Sequence, residues 1–238
     1  MPSQRFDSID ALRGVAIVWM AAFHFCYDLN HFGWIHQNFL TDMFWTVQRT
    51  VIVSLFLFCA GLGQSVAVQQ GQRWTRFWRR WGQVAFCAVL VTVGSWWMFP
   101  QSYIYFGVLH GIAVMLIIVR LTAGWGRWLW LLGALAIALK FAADYAHGSS
   151  AHLAFLNDRA FNWLGLVSHK PRTEDYVPLV PWLGVMWWSM AAGTWLQRHR
   201  APWLQAAPAP AALSFLGRWS LSIYMLHQPV LMGLLHSK

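Results

Sequence analysis

Residues 5–24 read RFDSIDALRGVAIVWMAAFH. The stretch is polar through Asp10 and then apolar to about residue 29, close to the roughly 20 residues that a helix needs to cross a bilayer core. Further apolar runs follow near 48–68, 82–99, 103–121, 128–145, 178–196 and 213–235. The pattern predicts an all-α, polytopic transmembrane bundle of about seven spanning helices, with residues 1–238 as one transmembrane domain. Pro100 marks a tight turn between the third and fourth runs. The polar start, followed by so many apolar runs, reads as a chain without a cleavable leader.

Composition agrees. The chain is 58% hydrophobic and only 11% charged, well under the roughly 25% charged residues of a soluble domain. Its 18 Trp exceed the needs of an ordinary core and suit membrane interfaces, where an apolar ring with one N–H is favoured. Cys26, Cys59 and Cys87 fall in apolar runs without CxxC spacing, so they read as small hydrophobes rather than disulfides or metal ligands. No metal site is expected.

The net charge of +9 would suggest nucleic acid in a soluble protein. Here the basic residues lie between apolar runs, the densest group being RWTRFWRR at 73–80. With the N-terminus inside, eleven Lys and Arg face one side and six the other, and the richer side is expected to be cytoplasmic. That reading expects a bacterial inner-membrane protein with a cytoplasmic N-terminus, a periplasmic C-terminus and no nucleic-acid partner. Two outer segments, 30–47 and 146–177, are long enough to matter. AHLAFLNDRAFNWLGL at 151–166 reads as a short interfacial helix, and APWLQAAPAPAA at 201–212 as a cytoplasmic linker.

Polar side chains in a bilayer are costly and point to function. The first helix carries Asp7, Asp10, Arg13, His24, Tyr27 and Asp28. Asp7 and Asp10 suit a helix start, and Arg13 suits a snorkelling anchor. Arg13 and His24 are eleven positions apart, three turns plus roughly 20°, so they share a face about 16 Å apart along the axis. Asp28, one turn beyond His24, is placed to orient the imidazole. His110 in the fourth run and His227 in the seventh are expected near the depth of His24. Gly107 and Gly111 flank His110, while Pro178, Pro181 and Trp182 form the rim of the sixth run.

Four stretches together carry a resemblance: RFDSIDALRGVAIVWMAAFH at 5–24, YFGVLHGIAV at 105–114, DYVPLVPWLG at 175–184 and LGRWSLSIYMLHQPVL at 216–231. In this order they resemble bacterial relatives of the heparan-alpha-glucosaminide N-acetyltransferase catalytic domain, within a wider group of transmembrane acyltransferases. The acyltransferase-3 members of that group have Arg, ten residues, then His in the first helix, as Arg13 and His24 do here. The resemblance implies transfer of an acyl group, acetyl in particular, from cytoplasmic acetyl-CoA or another acyl-CoA to a sugar hydroxyl or amine on the periplasmic side.

By that resemblance His24 is the expected general base, oriented by Asp28. Arg13, with Asp10, is expected at the CoA phosphates, and His110, Trp182, His227 and Tyr27 along the substrate cavity. In the heparan enzyme the position of His24 is Asn and the catalytic His lies about eleven residues on, near His36 and His31 of this chain. The base is therefore His24 or His36. The chain is also shorter than typical relatives. Expected partners are the bilayer, acyl-CoA, a sugar or glycolipid acceptor and, as an option, a second copy in a homodimer.

Two other classes fit parts of the pattern. A non-catalytic transport or accessory protein fits the helices, although no internal repeat is visible. A bis-His haem protein fits paired histidines at one depth, but nothing in it uses the alignment of Arg13.

Overall fold

The computed structural model describes residues 6–149, 151–199 and 209–236, and among them no named β-strand occurs. Eight α-helices are described: α1 (Asp7–His31), α2 (Met43–Gln69), α3 (Trp74–Met98), α4 (Val108–Leu121), α5 (Trp128–Ser149), α6 (Trp182–Arg198), α7 (Ala211–Arg218) and α8 (Ser220–His236). Four of them, α1, α2, α3 and α5, are long and apolar enough to cross a membrane. Only 6% of the most apolar window of α3 is buried by protein. Trp96, Trp97, Phe86 and Val93 along it are exposed, and a surface this apolar calls for lipid rather than water.

Among the described residues four of the seven expected runs form long spans, and the others are shorter or broken. The fourth run, expected from residue 103, becomes helical only at Val108. Residues before it are held in an extended pairing: Val177 N–H donates to the Phe106 carbonyl at 3.2 Å and the Thr173 hydroxyl to that of Tyr103 at 2.9 Å. The remaining 14 residues of α4 rise about 21 Å, against a hydrocarbon core of about 30 Å. The sixth run starts at Trp182 rather than 178, because Leu179 and Val180 donate their N–H groups to Trp163 and Leu164, both at 2.9 Å. The seventh run breaks at Trp219 into α7 and α8.

Two smaller expectations also change. The interfacial segment is not one helix but two 3-10 turns, Ala151–Asn157 and Asn162–Leu164. Of the expected linker, residues 201–208 lie outside the described residues, and Ala211 and Ala212 already belong to α7.

The chain divides into two compact units. The first takes residues up to Cys59 and those from His199 onward, so it contains α1, the first part of α2, α7 and α8. Ile17, Met20 and Ile52 form its buried centre, with Trp19, Phe23, Phe56, Leu216, Ile223 and Tyr224 packed around them. The Trp19 indole N–H donates to Gln48 Oε1 at 2.9 Å. Helices α1 and α7 meet backbone to backbone. A Cβ on Gly14 would lie 2.1 Å from the Leu213 carbonyl oxygen, and one on Gly217 would lie 1.7 Å from that of Asp10. Small residues serve this purpose in membranes, where close backbone approach replaces the missing hydrophobic drive between helices.

The second unit, Ala60–Arg198, uses the same device. Gly61 packs on Ser189, Gly193 on Ser65, and Gly133 and Gly184 on each other's carbonyl regions. Indole N–H groups add cross-helix bonds from Trp81 to the Ala113 carbonyl (2.8 Å) and from Trp188 to that of Trp130 (2.9 Å).

Candidate functional site

In the first unit α1 is continuous from Asp7 to His31, so Arg13 and His24 keep the one-face relation expected of them, about 16 Å apart along the axis. At the N-terminal end, Arg13 Nη1 pairs with Asp10 Oδ1 at 3.1 Å. Arg218, arriving on α7, pairs with Asp7 Oδ1 at 2.8 Å and approaches Asp10 Oδ2 at 3.7 Å. Asp10 is buried, and a buried carboxylate needs such partners. Arg218 was missed as a site residue because its spacing reads only as a topogenic charge, although it lies inside the LGRWSLSIYMLHQPVL stretch.

Eleven residues beyond Arg13 the character changes. The rings of His24 and His227 touch edge to face, with centroids 5.0 Å apart. His227 Nδ1 lies 2.6 Å from the Tyr224 carbonyl oxygen of its own helix. Asp28 is almost fully buried and accepts a bond from Gln228 Nε2 at 2.8 Å. The expected Asp28–His24 hydrogen bond is not formed: His24 Nδ1 and Asp28 Oδ2 are both buried without a partner, as are His227 Nε2 and Gln228 Oε1. Each such atom costs about 1–3 kcal/mol. Four in one place is more than a packed helix interface ordinarily leaves. Gln228 was not singled out from sequence, since a glutamine in an apolar run carries no motif. Direct contact between the two imidazole rings leaves no room for a macrocycle between them, so this pair does not fit axial haem ligation.

His36 is exposed in the segment after α1. That segment folds back through Phe39, which packs on Phe23, Tyr27 and Trp45. A cavity of about 340 Å³ lies here, lined by Tyr27, Asn30, His31 and residues 37–40. Its volume is at the low end for small-molecule sites.

His110 and Trp182 belong to the second unit. Because α4 starts late, His110 stands in its first turn rather than two turns deep. Its Nδ1 accepts the Gly107 N–H at 3.3 Å, and its Nε2 lies 2.9 Å from the Thr92 hydroxyl. Thr92 gives its own proton to the Ile104 carbonyl at 2.8 Å, so His110 Nε2 is the donor in that pair. Both ring nitrogens are therefore engaged in holding the helix start. Trp182 is half-buried at the first position of α6.

Nearby, buried Asn162 links two tyrosines. Its side-chain amide donates to the Tyr105 hydroxyl at 2.7 Å, and the Tyr176 hydroxyl donates to its backbone carbonyl at 2.5 Å. Burial pushes both phenols above their ordinary pKa, so they remain protonated donors. Arg159 stacks over the Tyr103 and Tyr105 rings at 4.6 and 4.5 Å. Among the described residues no three His, Cys, Asp or Glu side chains converge as a metal site.

The family model described as heparan-alpha-glucosaminide N-acetyltransferase, catalytic, aligns with residues 5–229. No curated protein and no solved structure matches the chain.

Proposed function

The chain belongs to the heparan-alpha-glucosaminide N-acetyltransferase catalytic family, and within that membrane acyltransferase family we propose that it moves an acyl group, acetyl first, from a cytoplasmic acyl-CoA to an amine or hydroxyl of a sugar or glycolipid on the periplasmic side. The observation that carries this reading is the buried polar locus around His24, on the same face of α1 as the paired Arg13 and about 16 Å along the axis from it. Such an arrangement suits a phosphate-bearing donor at one end and proton removal at the other.

In this reading His24 is the general base and takes the acceptor's proton as the nucleophile attacks the thioester. Base catalysis of this kind is worth about 10²–10⁴-fold. Arg13 contacts a CoA phosphate, for which a guanidinium gives charge-assisted bonds. To do so it leaves Asp10, whose carboxylate keeps Arg218 as a neighbour. His227 and Tyr27 face the acceptor, and His110 and Trp182 hold the entry of α4 and α6. His36, beside the cavity, is the other candidate base. We assign the N-terminus to the cytoplasm of a bacterial inner membrane and the C-terminus to the periplasm, from the arginine-rich segments. The shorter helices complete seven crossings in this proposal, and a homodimer is compatible with it.

The test is acetyl-CoA thioester consumption by purified protein in nanodiscs, with amino-sugar and sugar acceptors. His24→Ala that inserts normally is expected to lose at least about 10²-fold in rate. Undiminished transfer would remove His24 from the mechanism and turn attention to His36→Ala. A wild-type protein that consumes no thioester with any acceptor would defeat the acyltransferase reading.

A further inference from the structure

The four unpartnered atoms between α1 and α8 fix more than a location. His227 Nδ1 faces the Tyr224 carbonyl at 2.6 Å. A carbonyl only accepts, so Nδ1 of the neutral ring carries the proton and Nε2 carries the lone pair. Gln228 gives an amide N–H to the Asp28 carboxylate, so its other end, Oε1, can only accept. Asp28 Oδ2, as carboxylate, also only accepts. Three of the four buried atoms without partners are therefore acceptors: His227 Nε2, Asp28 Oδ2 and Gln228 Oε1. The fourth, His24 Nδ1, can supply a hydrogen to them when the ring is the Nδ1–H tautomer.

We propose that His24 is held as its Nδ1–H tautomer by the lone pair of His227 Nε2, directly or through one bridging water, so that His24 Nε2 is the atom that takes the acceptor's proton. The two rings are already in edge contact at 5.0 Å between centroids, within reach of a bridge by one water. His227 is thereby a positioning residue. It fills the role that sequence spacing suggests for Asp28, while Asp28 is held by Gln228. The catalytic consequence rests on the acyl-transfer reading. The acceptor's N–H or O–H proton passes to His24 Nε2 as its heteroatom bonds to the acyl carbon. The C–S bond then breaks, and the proton returns from His24 to the departing CoA thiolate.

The experiment uses ¹⁵N-histidine-labelled full-length protein in lipid bilayers. Solid-state NMR spectra of wild type and His24→Gln are compared to isolate the His24 signals. The expected result is a protonated Nδ1 and an unprotonated Nε2. In His227→Asn the amide nitrogen keeps a donor toward the Tyr224 carbonyl, but the Nε2 lone pair is gone. There His24 should become a tautomer mixture, with kcat down at least about tenfold and KM unchanged. His227→Gln, which returns an acceptor oxygen near that position, should recover part of kcat. A wild-type His24 protonated on Nε2, or a His227→Asn protein with unchanged spectrum and kcat, would overturn the assignment. If His227→Asn does not insert, the wild-type spectrum and His227→Gln decide. Protein that shows the Nδ1–H tautomer and its loss in His227→Asn, yet transfers no acyl group, would defeat the proposed activity and leave the tautomer assignment standing.

Discussion

Replacing Gly217 by Ala should open the contact that joins α7 to α1. A Cβ at this position would fall 1.7 Å from the Asp10 carbonyl oxygen and 3.0 Å from the Gly14 nitrogen. Ordinary van der Waals contact begins near 3.4 Å, so the two backbones must separate by about 1.7 Å, the difference of those distances. Both atoms the Cβ meets are backbone, and no side-chain rotation relieves the clash. Overpacking of this kind costs about 1–3 kcal/mol. The ion pair of Arg218 with Asp7 adds little to that loss, because both side chains are well exposed and such pairs are worth at most about 1 kcal/mol. The control is Gly82→Ala on α3, where nothing lies within 4 Å of the new Cβ. There the substitution should be neutral or stabilising by roughly 0.5–1 kcal/mol, the ordinary helix gain of Ala over Gly. Thermal unfolding of the two variants in the same detergent, followed by size-exclusion recovery, gives the comparison. Gly217→Ala should unfold several degrees below wild type and Gly82→Ala at or above it. Equal stability of the two variants would refute the backbone-to-backbone crossing.

Two further outcomes follow from the second unit. His110→Ala removes the acceptor for the Gly107 N–H and the donor to Thr92, so it should destabilise the protein by about 0.5–2 kcal/mol, the usual cost of a lost helix cap. Activity per folded molecule should stay within a few-fold of wild type, and a loss comparable to that of His24→Ala would show a direct role in the chemistry. For Tyr105 and Tyr176, burial raises the folded-state pKa, so the unfolded chain ionises first as pH rises. Their contribution to stability is full below the ordinary phenol value of about 10 and is lost as pH climbs above it. Melting measured from pH 8 to 11 should fall at the alkaline end, and the fall should be shallower in Tyr176→Phe.

The apolar runs of α1, α2, α3 and α5 were legible because each helix satisfies its backbone internally, and length and hydropathy are local properties. The start of α4 was not legible. Residues 103–107 are as apolar as a helix, and pairing with residues 173–177, some seventy positions away, holds them extended. The break at Trp219 was hidden for a similar reason. Nothing near it is a helix breaker, and α7 lies on α1 through Gly217 and Arg218, whose partners are Asp7 and Asp10 at the other end of the chain.

The candidate site divides along the same line. The sequence by itself determined that this is a helical membrane protein of one acyltransferase family, and that Arg13 and His24 share a face about 16 Å apart, since a helix repeats every 3.6 residues whatever surrounds it. Only the tertiary structure decided which groups those side chains meet. It set His227 rather than Asp28 against His24, bound Asp28 to Gln228 and engaged both nitrogens of His110 in the start of α4. The physical reason is that hydrogen-bond partners of buried side chains are settled by which helices lie side by side, and α1 and α8 are two hundred residues apart in the chain.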